Sequence, residues 1–350
     1  LGIKSKKLKV FHGLVNYGTQ AGLLARGLRN MNIDAISVAQ FDSFERPIDI
    51  ILRHGGNIFQ KLYNHILNNA FLFKCFFRYN IFHFYSGTTL TGRHWDLPFY
   101  RLFGKKIICH YLGKDVQLYR DLVDKYTTTN ISRVINFEKS EDRDRAIRSR
   151  LARETRYAYL QLVCAPYLYE FVPGSQILPL AIDLREFEYC PRNVFKDEIV
   201  IMHAPTDRAS KGTSIILGAL DRLIKEGFNI KILLVENVTH KELKEKYKEC
   251  DIFIDQILSG WYGTAAIEAM ATGRPVVCFL REEYYQYIDY GDEIPIINAD
   301  PESIYVELKN VLQKKEKLID IGFRSRLFVE KIHDIDLIIN KLISIYNDIN

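Results

Sequence analysis

The chain has 350 residues, a length that suits two domains better than one. Its 47% hydrophobic and 26% charged residues, with 20 Gly and 10 Pro, exclude a disordered or collagen-like chain, and no apolar run approaches the ~20 residues of a membrane span. The net charge of +5 hides an asymmetry: residues 1–180 hold 26 Lys+Arg against 14 Asp+Glu (+12), and residues 181–350 hold 22 against 29 (−7), a split that suggests domains meeting different partners.

In chain order, Leu8 to His12 is predicted as a strand, followed by a loop through Gly13 and Gly18. A helix carrying Leu23, Leu24 and Leu28 comes next, then a strand at Ile36 to Ala39. Residues 57–79 show a helical, aromatic-rich pattern; Ile81 to Phe84 and Lys106 to Tyr111 are strands. The mixed charges of 139–157 indicate a solvated helix. Val172-Pro173-Gly174 to Pro191 is the expected junction. Beyond it, Ile199 to Met202 is a strand, and Thr213 is the expected N-cap of a helix ending at Gly227. Strands at Ile230 to Val235, Asp251 to Asp255 and Pro275 to Leu280 alternate with helices at about 240–249 and Thr264 to Ala271. Strand–helix alternation in both halves predicts an α/β chain with parallel sheets. The expected domains are 1–180 and 181–330, with a C-terminal helix at 331–350 packing back on the first.

Six cysteines stand without metal-site or redox spacing, and several lie in apolar runs, so they are expected to be reduced and buried in a cytosolic protein. Lys4, Lys6, Lys7 and Lys9 precede only Val10-Phe11, too short for the ~7–15 residue core of a signal peptide. A leader removed ahead of Leu1 stays open.

Ligands of open α/β sheets bind beyond the carboxyl ends of the strands. Two loops of the second half fall there. His203 to Thr213 places Arg208, Lys211 and Gly212 between a strand and a helix N-terminus, where free amides and the dipole favour an anion; the same loop also reads as a capped turn with exposed cations. Ser259 to Thr264 runs into the helix that carries Glu268, a carboxylate able to accept from a ribose or merely to balance the dipole. Trp261 and Tyr262 suit either packing or a ligand wall. No G-x-G-x-x-G, Walker loop, H-E-x-x-H or G-x-S-x-G is present, which removes support from nicotinamide, P-loop and common hydrolase readings.

Residues 199–281 resemble the C-terminal domain of group 1 glycosyltransferases, through His203-Ala-Pro-Thr-Asp-Arg-Ala-Ser-Lys-Gly-Thr and the stretch from Asp251 that ends in Glu268-Ala-Met-Ala-Thr-Gly-Arg-Pro-Val-Val. Weaker likeness covers Leu112-Gly-Lys-Asp115, Tyr169 to Gly174 and Leu178 to Asp183. The resemblance implies the GT-B fold, two Rossmann-like domains facing across a cleft, and transfer of a sugar from a nucleotide-diphosphate sugar, UDP- or GDP-type, to an acceptor hydroxyl with retention. It implies that Lys211 and Arg208 contact the donor phosphates, that Glu268 holds the ribose, and that Gly18 approaches the diphosphate. Gly260, Tyr262, Gly263 and Thr264 are placed with them at the nucleotide, and Glu236 near its base. Two departures stand out: Gly260 occupies the place of the first Glu of E-x7-E, and Leu112 that of the His in His-Gly-x-Asp. His110 lies two residues before Leu112 on the same strand face and reads as a structural histidine rather than a substitute.

Neither loop contains Asp-x-Asp, so no metal and no cofactor are expected. Rival readings are a GT-B nucleotide-sugar epimerase or phosphorylase and a non-catalytic nucleotide-sugar-binding subunit. A nucleic-acid partner is not expected, because no recognised module is present. Polysaccharide biosynthesis is the expected context, with a glycan, lipid-linked or small-molecule acceptor. The expected location is cytoplasmic, with a peripheral position at the inner membrane face as the alternative through the basic N-terminal half. The aromatic segment 61–80 reads as a core-facing helix in preference to a membrane-surface one.

Overall fold

Strands alternate with helices along the chain, and in the computed structural model, which describes residues 7–119, 121, 137–192 and 197–349, they assemble into two parallel sheets. One unit comprises residues up to Leu118, Asp142–Ala181 and those from Ile335 on; the other includes Ile182–Asp334.

The first unit runs β1 (Lys9–Leu14), α1 (Gln20–Asn30), β2 (Asp34–Ala39), β3 (Ile50–Ile51), α2 (Ile58–Arg78), β4 (Ile81–Tyr85), α3 (Leu97–Leu102), β5 (Lys106–Tyr111), α4 (Phe137–Tyr157), β6 (Leu160–Val163) and β7 (Gln176–Ile177). The strand order is β3-β2-β1-β4-β5-β6-β7, all parallel. Central strands are buried on both faces, as a sheet covered on two sides requires; Val10, Phe11, Phe82, Phe84, Ile107 and Ile108 are buried, and so are His12, His83 and His110.

The second unit runs β8 (Ile199–His203), α5 (Arg208–Lys211), α6 (Thr213–Lys225), β9 (Ile230–Leu234), α7 (His240–Glu249), β10 (Ile252–Ile254), α8 (Thr264–Ala271), β11 (Val276–Cys278), β12 (Ile297–Asn298), α9 (Ile304–Gln313) and α10 (Lys317–Ile332). Its strand order is β12-β11-β10-β8-β9, again all parallel. Ile201, Ile216, Leu220, Leu223, Ile252, Ile254 and Leu308 form its core. The last helix, α11 (Ile335–Ile349), returns to the first unit and packs on α1. Gly27 permits that approach: a Cβ there would come within 2.6 Å of Ile339 Cγ1.

The short strands β3, β6, β7 and β12 have too few residues to show a period and were not separable from loops by sequence pattern. Two local expectations are corrected. Thr213 is not the N-cap of α6; Gly212 is, at φ 79°, and the Thr213 hydroxyl serves His203 instead. Segment 61–80 is not core-facing along its length: of α2 only Leu72 and Cys75 are buried. The helix is started by a capping box, Asn57 and Gln60 each accepting the other's amide. All six cysteines are unpaired, and five are buried. Among the described residues no helix is long and apolar enough to cross a membrane.

Candidate functional site

Parallel order brings the carboxyl ends of β8 and β10 side by side, with His203 paired to Ile254. The loops that leave these two strands carry Asp207, Arg208, Lys211 and Asp255. His203 is buried and fixes the first of them. Its Nδ1 lies 2.8 Å from the Ile254 carbonyl and so carries the proton; Nε2 then accepts from the Thr213 hydroxyl at 2.9 Å. Burial lowers its pKa, which keeps the ring neutral in this role. Asp207 caps the four-residue α5 by accepting from the amides of Ala209 and Ser210. Gly212 ends it in the left-handed region, where a Cβ would lie 2.5 Å from Ile257 Cγ1.

This turn directs Lys211 inward. Its Nζ donates to Asp255 Oδ1 at 2.6 Å, and Asp255 Oδ2 accepts the Gly263 amide at 2.8 Å. Asp255 is 2% exposed and Lys211 only partly so. One buried carboxylate thus ties the lysine to the residue that precedes α8. A Cβ on Gly263 would make ordinary contacts, 3.5 Å from Asp255 Oδ2 and 3.9 Å from Lys211 Nζ, so the glycine lies directly between ammonium and helix end. Gly263, Thr264 and Ala265 are partly exposed, whereas α8 is buried from Ala266 on. The amides of Thr264 and Ala265 meet no acceptor among the described residues. A cation and free helix amides therefore converge, an arrangement that stabilises an anion.

The other sequence-predicted residues are distributed around this point. Arg208 is exposed and forms a two-pronged pair with Glu236, at 2.8 and 2.5 Å. That pairing holds the Glu236 carboxyl below its ordinary pKa. Glu268 is buried, and both its oxygens are engaged: Oε1 accepts from His240 Nε2 at 2.8 Å, and Oε2 from the Tyr247 hydroxyl at 3.0 Å. His240 is placed by the Thr239–Glu242 capping box of α7. Tyr262 is buried, stacked on Trp261 and bonded through its hydroxyl to His333 Nε2 at 3.1 Å, so both rings are packing residues. Gly260 has φ 76°, and the Arg281 side chain fills the space its Cβ would take, 2.8 Å away. Gly18 belongs to the other unit, in a 3-10 turn between β1 and α1 at φ 53°. Among the described residues no group of three or more His, Cys, Asp and Glu could hold a metal.

Asp255, His240 and Tyr247 were not found by sequence reasoning. A strand-terminal Asp beside a lysine 44 residues away leaves no local signal; only the register of β8 against β10 joins them. His110 is the structural histidine expected: it is buried, with Nδ1 3.1 Å from His83 Nε2. Asp115 accepts the amides of Leu112 and Gly113 and closes that loop on itself.

No family model matches this sequence, and a search of curated proteins finds no match. Solved structures do. The chain is similar to a sucrose-phosphate synthase from Thermosynechococcus elongatus, at TM-score 0.65 and 16% identity over 98% of this chain and 99% of that one. It is similar to HepE of Anabaena, solved with UDP-glucose, at 0.60 and 11% over 97% and 99%. An alpha-glucosyltransferase bound to UDP and a DNA 13-mer gives 0.59 and 11% over 97% and 98%. The fold is therefore the two-sheet α/β architecture of the GT-B type, as the sequence predicts.

Proposed function

We propose that the protein is a nucleotide-sugar-dependent glycosyltransferase, moving a glycosyl group to an acceptor hydroxyl with retention. The observation that carries the reading is the meeting of Lys211 with the open first turn of α8, held by Asp255. Breaking the bond between a sugar and a diphosphate places negative charge on the leaving phosphate. Lys211 and the Thr264 and Ala265 amides stabilise that charge, and being fixed beforehand they need no reorganisation when it appears. Arg208 adds a second cation; its present partner Glu236 yields to the diphosphate, which is the stronger anion. These groups supply the required charge without a metal. Glu268, braced by His240 and Tyr247, retains accepting lone pairs for a ribose hydroxyl. Tyr262 is left out of the nucleotide site because its ring and hydroxyl are committed to the core. The diphosphate oxygen serves as the base of a retaining transfer. Acceptor recognition is assigned to the first unit, with a glycan or lipid-linked hydroxyl as substrate.

The UDP-glucose of HepE and the UDP of the alpha-glucosyltransferase support a uridine nucleotide as donor. A thermal-shift series with UDP, GDP, ADP and their sugars tests this, since a ligand that binds only the folded state raises Tm. Transfer and hydrolysis assays with the stabilising donor follow. Lys211→Ala is expected to lower kcat/KM at least about 100-fold. Donor consumed without acceptor and converted to an isomer would mark an epimerase. Donor bound but never turned over would mark a binding subunit.

A further inference from the structure

Helix α2 carries a second apolar face. Phe59, Leu62, Tyr63, Ile66, Phe73 and Phe77 recur at i, i+3, i+4, i+7, i+14 and i+18, which is one stripe of a 3.6-residue helix. The buried Leu72 and Cys75 lie about half a turn away. The stripe therefore points from the core outward, and its members are 52–79% exposed. It runs for about 27 Å at 1.5 Å per residue. Beside its carboxyl end it continues onto the segment around α3. Phe103 packs on Phe77 at 5.9 Å between ring centres, and Trp95, Phe99 and Leu102 are exposed nearby in sequence. An apolar surface of this extent on a globular chain marks an interaction site.

Charge identifies the occupant. Between Asp49 and Asp115 the sequence holds a single carboxylate, Asp96. Asp96 is buried and accepts from Thr89, Thr91 and Tyr100, so it presents no negative charge outward. The exposed cations of this stretch include Lys61, Lys74, Arg93 and Arg101. A two-fold contact between copies through this face would bring the same cations against themselves. An anionic, apolar-backed surface complements both features. We propose that α2 lies in the plane of an anionic lipid bilayer, its aromatic stripe entering the acyl boundary and its flanking lysines and arginines meeting lipid phosphates. This deepens the proposed function by supplying a membrane-borne acceptor, and rests on that reading only for the acceptor.

The test is co-sedimentation of the full chain with vesicles of phosphatidylcholine alone and of an equal mixture with phosphatidylglycerol. Binding is expected to the mixed vesicles and to weaken as salt is raised. Phe59→Ser/Leu62→Ser/Ile66→Ser removes side chains that are already exposed, so the fold is retained, as circular dichroism checks. It is expected to weaken vesicle binding at least about tenfold, and Lys61→Glu/Lys74→Glu to weaken it on mixed vesicles. Vesicle binding is read without donor, so its failure is distinct from loss of transfer. Absence of binding to either vesicle, or binding unchanged in both variants, overturns the proposal. Self-association that the serine variant abolishes, with no vesicle binding, overturns it in favour of a second copy.

Discussion

Acid should destabilise the first unit through histidines at the centre of its sheet. His12 on β1, His83 on β4 and His110 on β5 stand on neighbouring strands, all buried. Tyr85 bonds His12 at 2.7 Å, and Tyr346 of α11 bonds His83 at 2.7 Å. Both tyrosines stay neutral because burial raises their pKa. Desolvation lowers His12 and His110 to about 3 and pushes His83 well down. After burial, the neighbouring His110 lowers His12 most and Arg29 adds to the shift, while Asp49 opposes it. In the unfolded chain each histidine titrates near 6.5. Between these values the unfolded state holds more protons, so stability rises with pH; it is fully present above about 6.5 and is lost progressively toward about 3. From pH 7 to pH 5 each histidine with a folded pKa near 3 removes about 2 kcal/mol, so His12 and His110 together remove about 4 kcal/mol. That is a large share of the ~5–15 kcal/mol typical of a domain. The assay is urea denaturation at both pH values, wild type against His110→Phe. The substitution loses the contact with His83 and lowers stability at both, but the pH-dependent drop should shrink by about 2 kcal/mol. An identical drop in the two proteins would refute the argument.

Other expectations are more local. Asp255→Asn keeps the size of the side chain but removes the charge that holds Lys211; kcat/KM for the stabilising donor should fall about tenfold or more, with Tm nearly unchanged. Gly212→Ala places a Cβ against Ile257 at φ 79° and should cost about 1–3 kcal/mol in a denaturation experiment. Tyr346→Phe strips the hydroxyl from His83, and should cost about 1–3 kcal/mol by the same measurement.

The fold class was legible because parallel sheets need buried strands joined by helices, and both halves show that alternation. Ile199–His203, Thr213–Lys225 and Thr264–Ala271 were readable because apolar spacing and glycine stops act locally. What depends on register was not. Thr213 has the chemistry of an N-cap, yet tertiary structure gives its hydroxyl to His203, and Gly212 takes the capping position. Glu268 could be placed in the first turns of a helix from sequence, but not the His240 and Tyr247 that surround it, 28 and 21 residues away. In α2 the helical, aromatic-rich pattern was visible, but pattern alone does not say which of two apolar faces meets the sheet. Here the narrower face, Leu72 and Cys75, does.

The charge split in the sequence takes on a different meaning in the structure. The half with net −7 contains the cation-and-amide site, so domain charge does not locate an anionic ligand. A buried Asp255 next to Lys211 at first opposes phosphate binding. Its geometry resolves the conflict: both oxygens are occupied, one by the ammonium and one by the Gly263 amide, so its charge is spent on orientation. Without it, Lys211 would be a flexible cation in water, which binds phosphate weakly and without direction. With it, the ammonium is held in one place beside the open amides of α8. An acidic residue thus makes the positive site specific. It follows that Asp255→Asn and Lys211→Ala should not add: once Lys211 is gone, removing the Asp255 charge should change donor turnover less than about twofold. Full additivity in that double-mutant cycle would show that Asp255 acts independently of the lysine, and the preorganisation argument would fall.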